Sequence, residues 1–276
     1  MSNNRVPALA ALVLLAHPFL FAQAARTALV DLYGDPLPKG AVARLGTVRF
    51  QHEGPIHDLA FVDDGKKILT VCPAGLRWWD VETGRELRRI KVAIRGSACL
   101  SPDRKTIAVL GDYGSLILLD TATGDEKARL EGNKGQAGGL TWSPDNRCIA
   151  VAQGNCAVFV WEASSGELLR ELTRGESALR GVAFSADGKT LAVAGHSYFL
   201  WKWRTDDAPR PLEGKPHPWG YKDILFSPNG KMVAARFDEQ AGKGSFYSLL
   251  RLWDGSSGKR LLDCEKGYSA TALAFS

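Results

Sequence analysis

Short apolar runs and turn-forming residues alternate along the chain from about residue 50 onwards. Residues 139–142, 148–152 and 157–161 are largely apolar, residues 167–172 are more polar, and short turn segments rich in Ser, Asn and Gly separate these runs. Runs of this length between turn residues predict four antiparallel β-strands. The inner runs are apolar on both faces, so we expect each sheet to be packed between two others.

The same pattern recurs with a period near 42 residues. One phrase, a bulky apolar residue followed by a turn of the Ser-Pro-Asp-Gly-Lys type, occurs five times, and its first residues are 39, 42, 42 and 42 positions apart. A second phrase, an apolar residue followed in most copies by an acidic one, keeps the same phase. Two anchors in phase indicate a tandem repeat with one sheet per period, which predicts a β-propeller. The first phrase starts at Phe61, Leu100, Trp142, Phe184 and Phe226, and the second at Trp79-Asp80, Leu119-Asp120, Trp161-Glu162, Trp203-Arg204 and Trp253-Asp254.

The two phrases resemble those of the WD-repeat β-propeller family over about residues 42–276. The resemblance implies that a tryptophan closing the third strand of each blade packs between neighbouring blades, with Leu119 in its place in the second blade. It also implies a buried hydrogen-bond network of a Gly-His pair, a Ser or Thr, a turn Asp and the tryptophan. Only His52 resembles that histidine, with Gln51 at the glycine position, and Asn155 replaces one turn Asp, so the repeats are degenerate. The matching structural positions are Trp79, Asp80, Asp120, Trp161, Trp203, Trp253 and Asp254.

The repeat also predicts where the blades begin and end. Residues 42–50 resemble an outer fourth strand, which in closed propellers of this family completes the last blade. We therefore expect an all-β propeller of four-stranded antiparallel blades, truncated from a seven-bladed ring. The alternative is a five-bladed domain with a frayed tail. The predicted blades span residues 55–91, 95–132, 137–173, 178–213 and 220–265, with the first strand of a sixth at 268–276.

The first 24 residues have the order of regions found in a secretory leader. Arg5 precedes an apolar run, and Ala22 and Ala24 form the small-residue pattern that a signal peptidase requires, so we expect cleavage after Ala24, with Ala25 as the alternative. An uncleaved membrane anchor is the rival interpretation. Residues 25–41 then form a linker, whose Gly-Asp-Pro-Leu-Pro segment resembles exported WD-repeat proteins of planctomycete-type bacteria. The expected location is periplasmic or secreted, with no membrane contact after cleavage.

Composition narrows the classes of partner and of site. The chain has 276 residues, 45% of them hydrophobic and 24% charged, which is typical of a folded soluble protein. Its formal charge is +5 with the basic residues scattered, so we expect no nucleic-acid partner. The five cysteines form no CxxC motif and no Cys/His cluster, and we interpret them as small buried strand residues rather than as disulfides or metal ligands.

Catalytic motifs are absent from the sequence. It contains no G-x-S-x-G motif, no phosphate-binding glycine loop and no calcium loop, so we expect no catalytic residue, no metal and no cofactor. The enzymatic alternative is a quinoprotein-like or lactonase-like propeller, since residues 80–84 and 120–124 form Asp-x-x-Thr-Gly turns. In quinoprotein repeats a tryptophan follows that glycine, whereas here the tryptophans close the preceding strand. A sensor domain of a longer polypeptide is a third possibility.

The remaining class of function is recognition of proteins or peptides. Propellers expose loops at both ends of their sheets, and rigid scaffolds with variable loops suit partner binding. By resemblance to the family, residues just before each first strand lie on the face commonly used for partners, although Trp219 and Tyr221 are equally suited to packing the linker before the fifth blade. The partner-binding candidates are His57, Arg95, Arg180, Trp219 and Tyr221.

Overall fold

The structure is a computed structural model, which describes residues 29–31, 34–39, 41–42, 49–94, 97–110, 115–130, 137–173, 178–214, 221–242, 245–264 and 273–275. The chain divides into two compact units, Met1–Val48 and Arg49–Ser276. In the first unit, Val30 and Pro36 form an isolated antiparallel bridge within the predicted linker. The predicted leader and its cleavage site lie outside the described residues. Among the described residues, none forms a helix long and apolar enough to cross a membrane.

In the residues that the structure describes, the second unit is all-β and contains five four-stranded antiparallel sheets, which are the blades of a propeller. Each sheet takes four consecutive strands in chain order, and we number the blades 1 to 5. Blade 1 has β1 (Asp58–Val62), β2 (Lys67–Cys72), β3 (Gly75–Asp80) and β4 (Glu86–Ile90); blade 2 has β5 (Ala98–Leu100), β6 (Thr106–Leu110), β7 (Leu116–Asp120) and β8 (Glu126–Leu130); blade 3 has β9 (Ala137–Trp142), β10 (Cys148–Gln153), β11 (Ala157–Glu162) and β12 (Leu168–Thr173); blade 4 has β13 (Leu179–Phe184), β14 (Leu191–Gly195), β15 (Tyr198–Trp201) and β16 (Arg210–Pro211); blade 5 has β17 (Tyr221–Phe226), β18 (Met232–Gly242), β19 (Ser245–Asp254) and β20 (Arg260–Cys264).

The turn between the first two strands of a blade explains the recurring Ser-x-Asp phrase. In blade 3, the Ser143 hydroxyl donates to the Asp145 carboxylate at 2.5 Å, and the same carboxylate accepts the amide of Arg147. Ser143 Oγ in turn accepts the amide of Cys148, so two short polar side chains satisfy the turn. Blades 2, 4 and 5 repeat this arrangement, with Ser101 and Asp103, Ser185 and Asp187, and Ser227 and Asn229.

The two faces of each inner strand pack on different neighbours, as the apolar runs predict. Ala150 and Ala152 of β10 belong to a buried cluster with β13 and β14, whereas Val151 belongs to a cluster with β6 and β7 of blade 2. The innermost strands of consecutive blades contact one another along the series β1, β5, β9, β13 and β17. We call the side of a blade that faces the preceding blade its leading face.

The third strand of blade 4 differs in register from the sequence expectation. In the other blades, the residue that closes the third strand pairs with an apolar residue of the second strand, as Trp161 pairs with Ile149. In blade 4 the equivalent residue of the second strand, Leu191, pairs with Trp201. Trp203 therefore lies two residues beyond the end of β15. The hairpin between β14 and β15 is two residues shorter than the one between β10 and β11 in blade 3, and the turn that follows it is longer. These two differences cancel, so the 42-residue spacing is kept although Trp203 no longer lies in the third strand.

The ends of the predicted repeat are only partly described. Residues 43–48 of the predicted outer strand and most of the predicted sixth-blade strand lie outside the described residues, and residues 273–275 are not part of a strand. The insertion in the last period lengthens the hairpin of β18 and β19, which pairs as far as Gln240 with Phe246 and, after a register shift, Gly242 with Ser245. The cysteines are all free thiols, but their burial differs from the expectation because Cys264 is exposed and Cys156 lies in a turn.

Candidate functional site

Two of the predicted partner-binding residues can be compared in the structure. His57 and Arg180 each stand four residues before the bulky residue of the first sequence phrase, Phe61 in blade 1 and Phe184 in blade 4, so they occupy equivalent positions. Arg180 is exposed, whereas His57 is half-buried and burial lowers its pKa. The His57 Nε2 atom is buried and makes no hydrogen bond. We call the end of the sheets where the first strands begin the rim.

The other predicted rim residues are less fully described. Arg95 and Trp219 lie outside the described residues, and Tyr221 begins β17 with its side chain outside the description. The roles assigned to these three residues stay predictions.

Close backbone contact between blades 3 and 4 positions the exposed arginine. A Cβ atom on Gly138 would lie 2.3 Å from the carbonyl oxygen of Leu179, and one on Gly139 would lie 2.7 Å from that of Arg180. No side chain fits there, so the two glycines allow β9 to pack directly against the backbone that carries Arg180. These glycines were not predicted as positioning residues; the available signal was a pair of adjacent glycines at the start of the predicted first strand of blade 3.

A hydrogen-bond network joins blade 1 to the segment that precedes it. The Trp79 indole donates to the Thr70 hydroxyl at 2.9 Å, and His52 Nε2 lies 2.8 Å from the same oxygen. The imidazole also packs against the Trp79 ring, with centroids 4.8 Å apart. These are the histidine, hydroxyl and tryptophan positions of the network that the family resemblance implies. No aspartate takes part in the contacts described for this network.

A buried arginine extends this network. Arg77, 2% exposed, donates from Nη1 to the carbonyl oxygen of Gln51 and lies within ion-pair distance of Glu53 and Glu86. Its Nε atom is buried without a hydrogen bond. The outer half of the leading face of blade 1 is therefore covered by residues 50–53.

The network is specific to blade 1. In blade 3, Val151 stands at the position of Thr70, and the buried Nε1 atom of Trp161 makes no hydrogen bond. In blade 5 the indole of Trp253 donates instead to the Glu213 carbonyl oxygen at 2.8 Å. The buried tryptophans thus share a location but not a polar partner.

The acidic residues of the second phrase organise turns. Asp80 accepts the amide and the hydroxyl of Thr83, and these hydrogen bonds lower its pKa. Hydrogen bonds from the Ser256 hydroxyl and from Ser257 lower the pKa of Asp254 well below its usual range. A hydrogen bond from the Lys127 ammonium is the largest cause that lowers the pKa of Asp120. All three carboxylates are held as hydrogen-bond acceptors within their own blades.

Another carboxylate, that of Asp58, is half-buried between blades 1 and 2. Burial raises the pKa of Asp58, whose carboxylate accepts the amides of Leu100 and Leu59. Burial likewise raises the pKa of the neighbouring Cys99 thiol to about 12, so this thiol stays protonated at neutral pH. In the described ranges, no three His, Cys, Asp or Glu side chains lie close enough together to hold a metal ion.

No known protein-family model matches this chain, and no curated protein matches it either.

Proposed function

We propose that this protein is a non-enzymatic, exported protein-interaction scaffold built on a WD-repeat propeller. The two sequence phrases and the His52, Thr70 and Trp79 network support the family assignment. The observation that carries the function is the rim, where exposed Arg180 and half-buried His57 stand at equivalent positions of blades 4 and 1, and where Arg180 is the exposed residue of a strand that is otherwise buried. Arginine combines apolar area with several hydrogen-bond donors, which favours it as an interface anchor.

The exposed innermost strand of blade 1 supports a ring with more than five blades. Leu59 is 53% exposed and Phe61 is 60% exposed. The residues at the position of Phe61 in blades 2, 3 and 4 are 3%, 7% and 7% exposed, because a preceding blade covers them. A seven-bladed ring, within the usual range of propellers, supplies such a neighbour for blade 1.

The rim is tested by quantitative affinity capture from an extract of the cell envelope, with the purified chain as bait. We expect Arg180→Glu to lower the recovery of specific partners about tenfold or more. Lys66→Glu is the matched control, because Lys66 is also an exposed cation but lies in the turn at the opposite end of blade 1. Equal recovery by the wild-type and Arg180→Glu baits would refute the rim as the partner site.

Export has a separate test. Sequencing of the amino terminus of the protein isolated from its native cells is expected to start at Ala25 or Arg26. A protein that retains Met1 or the apolar run would contradict cleavage and favour the anchor.

A further inference from the structure

Two boundaries between blades contain a crevice at the end of the sheets opposite the rim. The crevice between blades 2 and 3 has a volume of about 310 Å³, and that between blades 4 and 5 about 330 Å³. Both lie against the Ser-x-Asp turn of one blade and the bulky residue that ends the first strand of the next. Asp103 and Trp142 in the first crevice therefore correspond to Asp187 and Phe226 in the second. These volumes are at the lower end for ligand pockets and suit one or two side chains.

At the boundary between blades 3 and 4, the chain's own Trp203 occupies the corresponding place. The indole donates to the carbonyl oxygen of Gly188 at 2.9 Å, and Gly188 corresponds to Gly230 in the crevice between blades 4 and 5. The ring packs edge-on against Phe184, which corresponds to Phe226, with centroids 6.1 Å apart. Trp203 is 2% exposed, so the site buries an aromatic ring almost completely.

The next residue places a cation over the indole ring. The Arg204 guanidinium stacks over the Trp203 ring, 4.4 Å from its centroid. Burial acts to raise the pKa of Asp145, but hydrogen bonds from the Ser143 hydroxyl and the Arg147 amide, with the charges of Arg147 and Arg204, lower it. Asp145 corresponds to Asp187 of the crevice between blades 4 and 5. An aromatic residue followed by arginine is therefore the pair of side chains that this place in the repeat accommodates.

The two open crevices differ in charge. Lys127 lines the crevice between blades 2 and 3 and forms an ion pair with Asp120 at 2.9 Å, so a cation already stands there. The described lining of the crevice between blades 4 and 5 contains no lysine or arginine. Its aromatic residue, Phe226, is partly exposed. Arg210 donates to the Ser256 carbonyl oxygen beside this crevice, just as Arg170 donates to the carbonyl of Arg204 where the crevice is filled.

We propose that the crevice between blades 4 and 5 binds an aromatic side chain and the arginine that follows it, from an exposed segment of a partner protein. The aromatic ring packs on Phe226 with its polar edge toward the Gly230 carbonyl, and the guanidinium faces Asp187. The site lies at the opposite end of the sheets from Arg180, so this proposal and the rim proposal fail independently.

The experiment is a titration of the ¹⁵N-labelled full chain with a capped tetrapeptide, Lys-Trp-Arg-Thr, the sequence of residues 202–205. We expect saturable amide shifts at Gly230 and Gly255 and much smaller ones at Asn146 in the other crevice. Replacing the peptide's tryptophan by alanine is expected to weaken binding about 30-fold, which abolishes saturation.

Two matched variants test the carboxylate. Asp187→Asn is expected to weaken peptide binding by up to about fivefold, while Asp103→Asn leaves it unchanged. Asparagine fits this turn, because Asn229 makes the same serine and amide hydrogen bonds in blade 5. The proposal is overturned if no shift saturates at Gly230, if the alanine peptide shifts the same amides equally, or if the two variants weaken binding alike.

Discussion

Blades 1 and 3 have the same strand order and ladder positions, but their leading faces are built from different chemistry. Blade 3 faces a complete sheet and presents Phe159 stacked on Trp161, with ring centroids 6.4 Å apart. Blade 1 has Arg77 at the position of Phe159, and the segment that covers it supplies backbone carbonyls, a histidine and a carboxylate. A neighbouring sheet favours apolar packing, whereas a single extended segment has polar groups that need partners.

The same two blades also show that equivalent residues can differ in burial. Phe61 and Trp142 occupy equivalent positions in the first strands of their blades, yet Phe61 is 60% exposed and Trp142 is 7% exposed. Burial in this propeller therefore depends on the preceding blade and not on the blade's own sequence, as is general for repeat proteins.

The largest expected effect on the free energy of unfolding distinguishes Trp142 from Phe61. Trp142→Ala is expected to lower the free energy of unfolding by about 3–5 kcal/mol, because it opens a cavity between blades 2 and 3. Phe61→Ala is expected to change it by less than about 0.5 kcal/mol, because little of that side chain is buried. Urea denaturation followed by far-UV circular dichroism measures both. A large loss for Phe61→Ala would mean that the leading face of blade 1 is covered in solution.

An intermediate effect on the free energy of unfolding is expected from removing the Thr70 hydroxyl of blade 1 and from adding a hydroxyl at the equivalent position of blade 3, Val151. Thr70→Val leaves the Trp79 indole and His52 without their shared partner and is expected to cost about 1–3 kcal/mol. The reverse change, Val151→Thr, offers the unpaired Trp161 indole an acceptor and is expected to cost less than about 1 kcal/mol or to stabilise. Equal losses for the two variants would show that the hydrogen bond in blade 1 contributes nothing specific.

The smallest effect concerns stability at acidic pH and involves Asp80, in the turn between the third and fourth strands of blade 1. The pKa of Asp80 is lower in the folded protein than its ordinary value of 3.8, so the unfolded chain binds more protons and stability falls as pH drops through this range. Asp80→Asn is therefore expected to make unfolding less sensitive to pH between about 5 and 3. Glu162→Gln in blade 3 is the control, since Glu162 accepts the Ser165 hydroxyl at the same turn. Identical pH profiles for wild type and Asp80→Asn would remove Asp80 from the acid response.

Much of the fold was predictable because both sequence phrases depend on interactions between residues that are close together in the chain. The Ser-x-Asp phrase is a self-contained turn, and the predicted strands of blade 3 agree with the observed ones to within two residues. The register of blade 4 was not predictable from the period, because a shorter hairpin and a longer turn cancel in the spacing. Trp203 was accordingly expected to close a strand but lies in the following turn.

The candidate sites were less predictable than the blades. The equivalence of His57 and Arg180 follows from the repeat, but Arg180 lies within β13 while His57 precedes β1, and the half-burial of His57 depends on its neighbours. The crevice beside Phe226 could not be anticipated, because it is formed by turns of two blades and is recognised only by comparison with the place that Trp203 fills.

The sequence by itself determined the number of described blades, their four-stranded design and the turns between their strands, because alternation and turn chemistry act over a few residues. The tertiary structure decided which copies of a repeated position are buried and where a crevice stays open. Those properties depend on the residues of an adjacent blade, about 40 positions away in the chain, whose side chains no local pattern brings together.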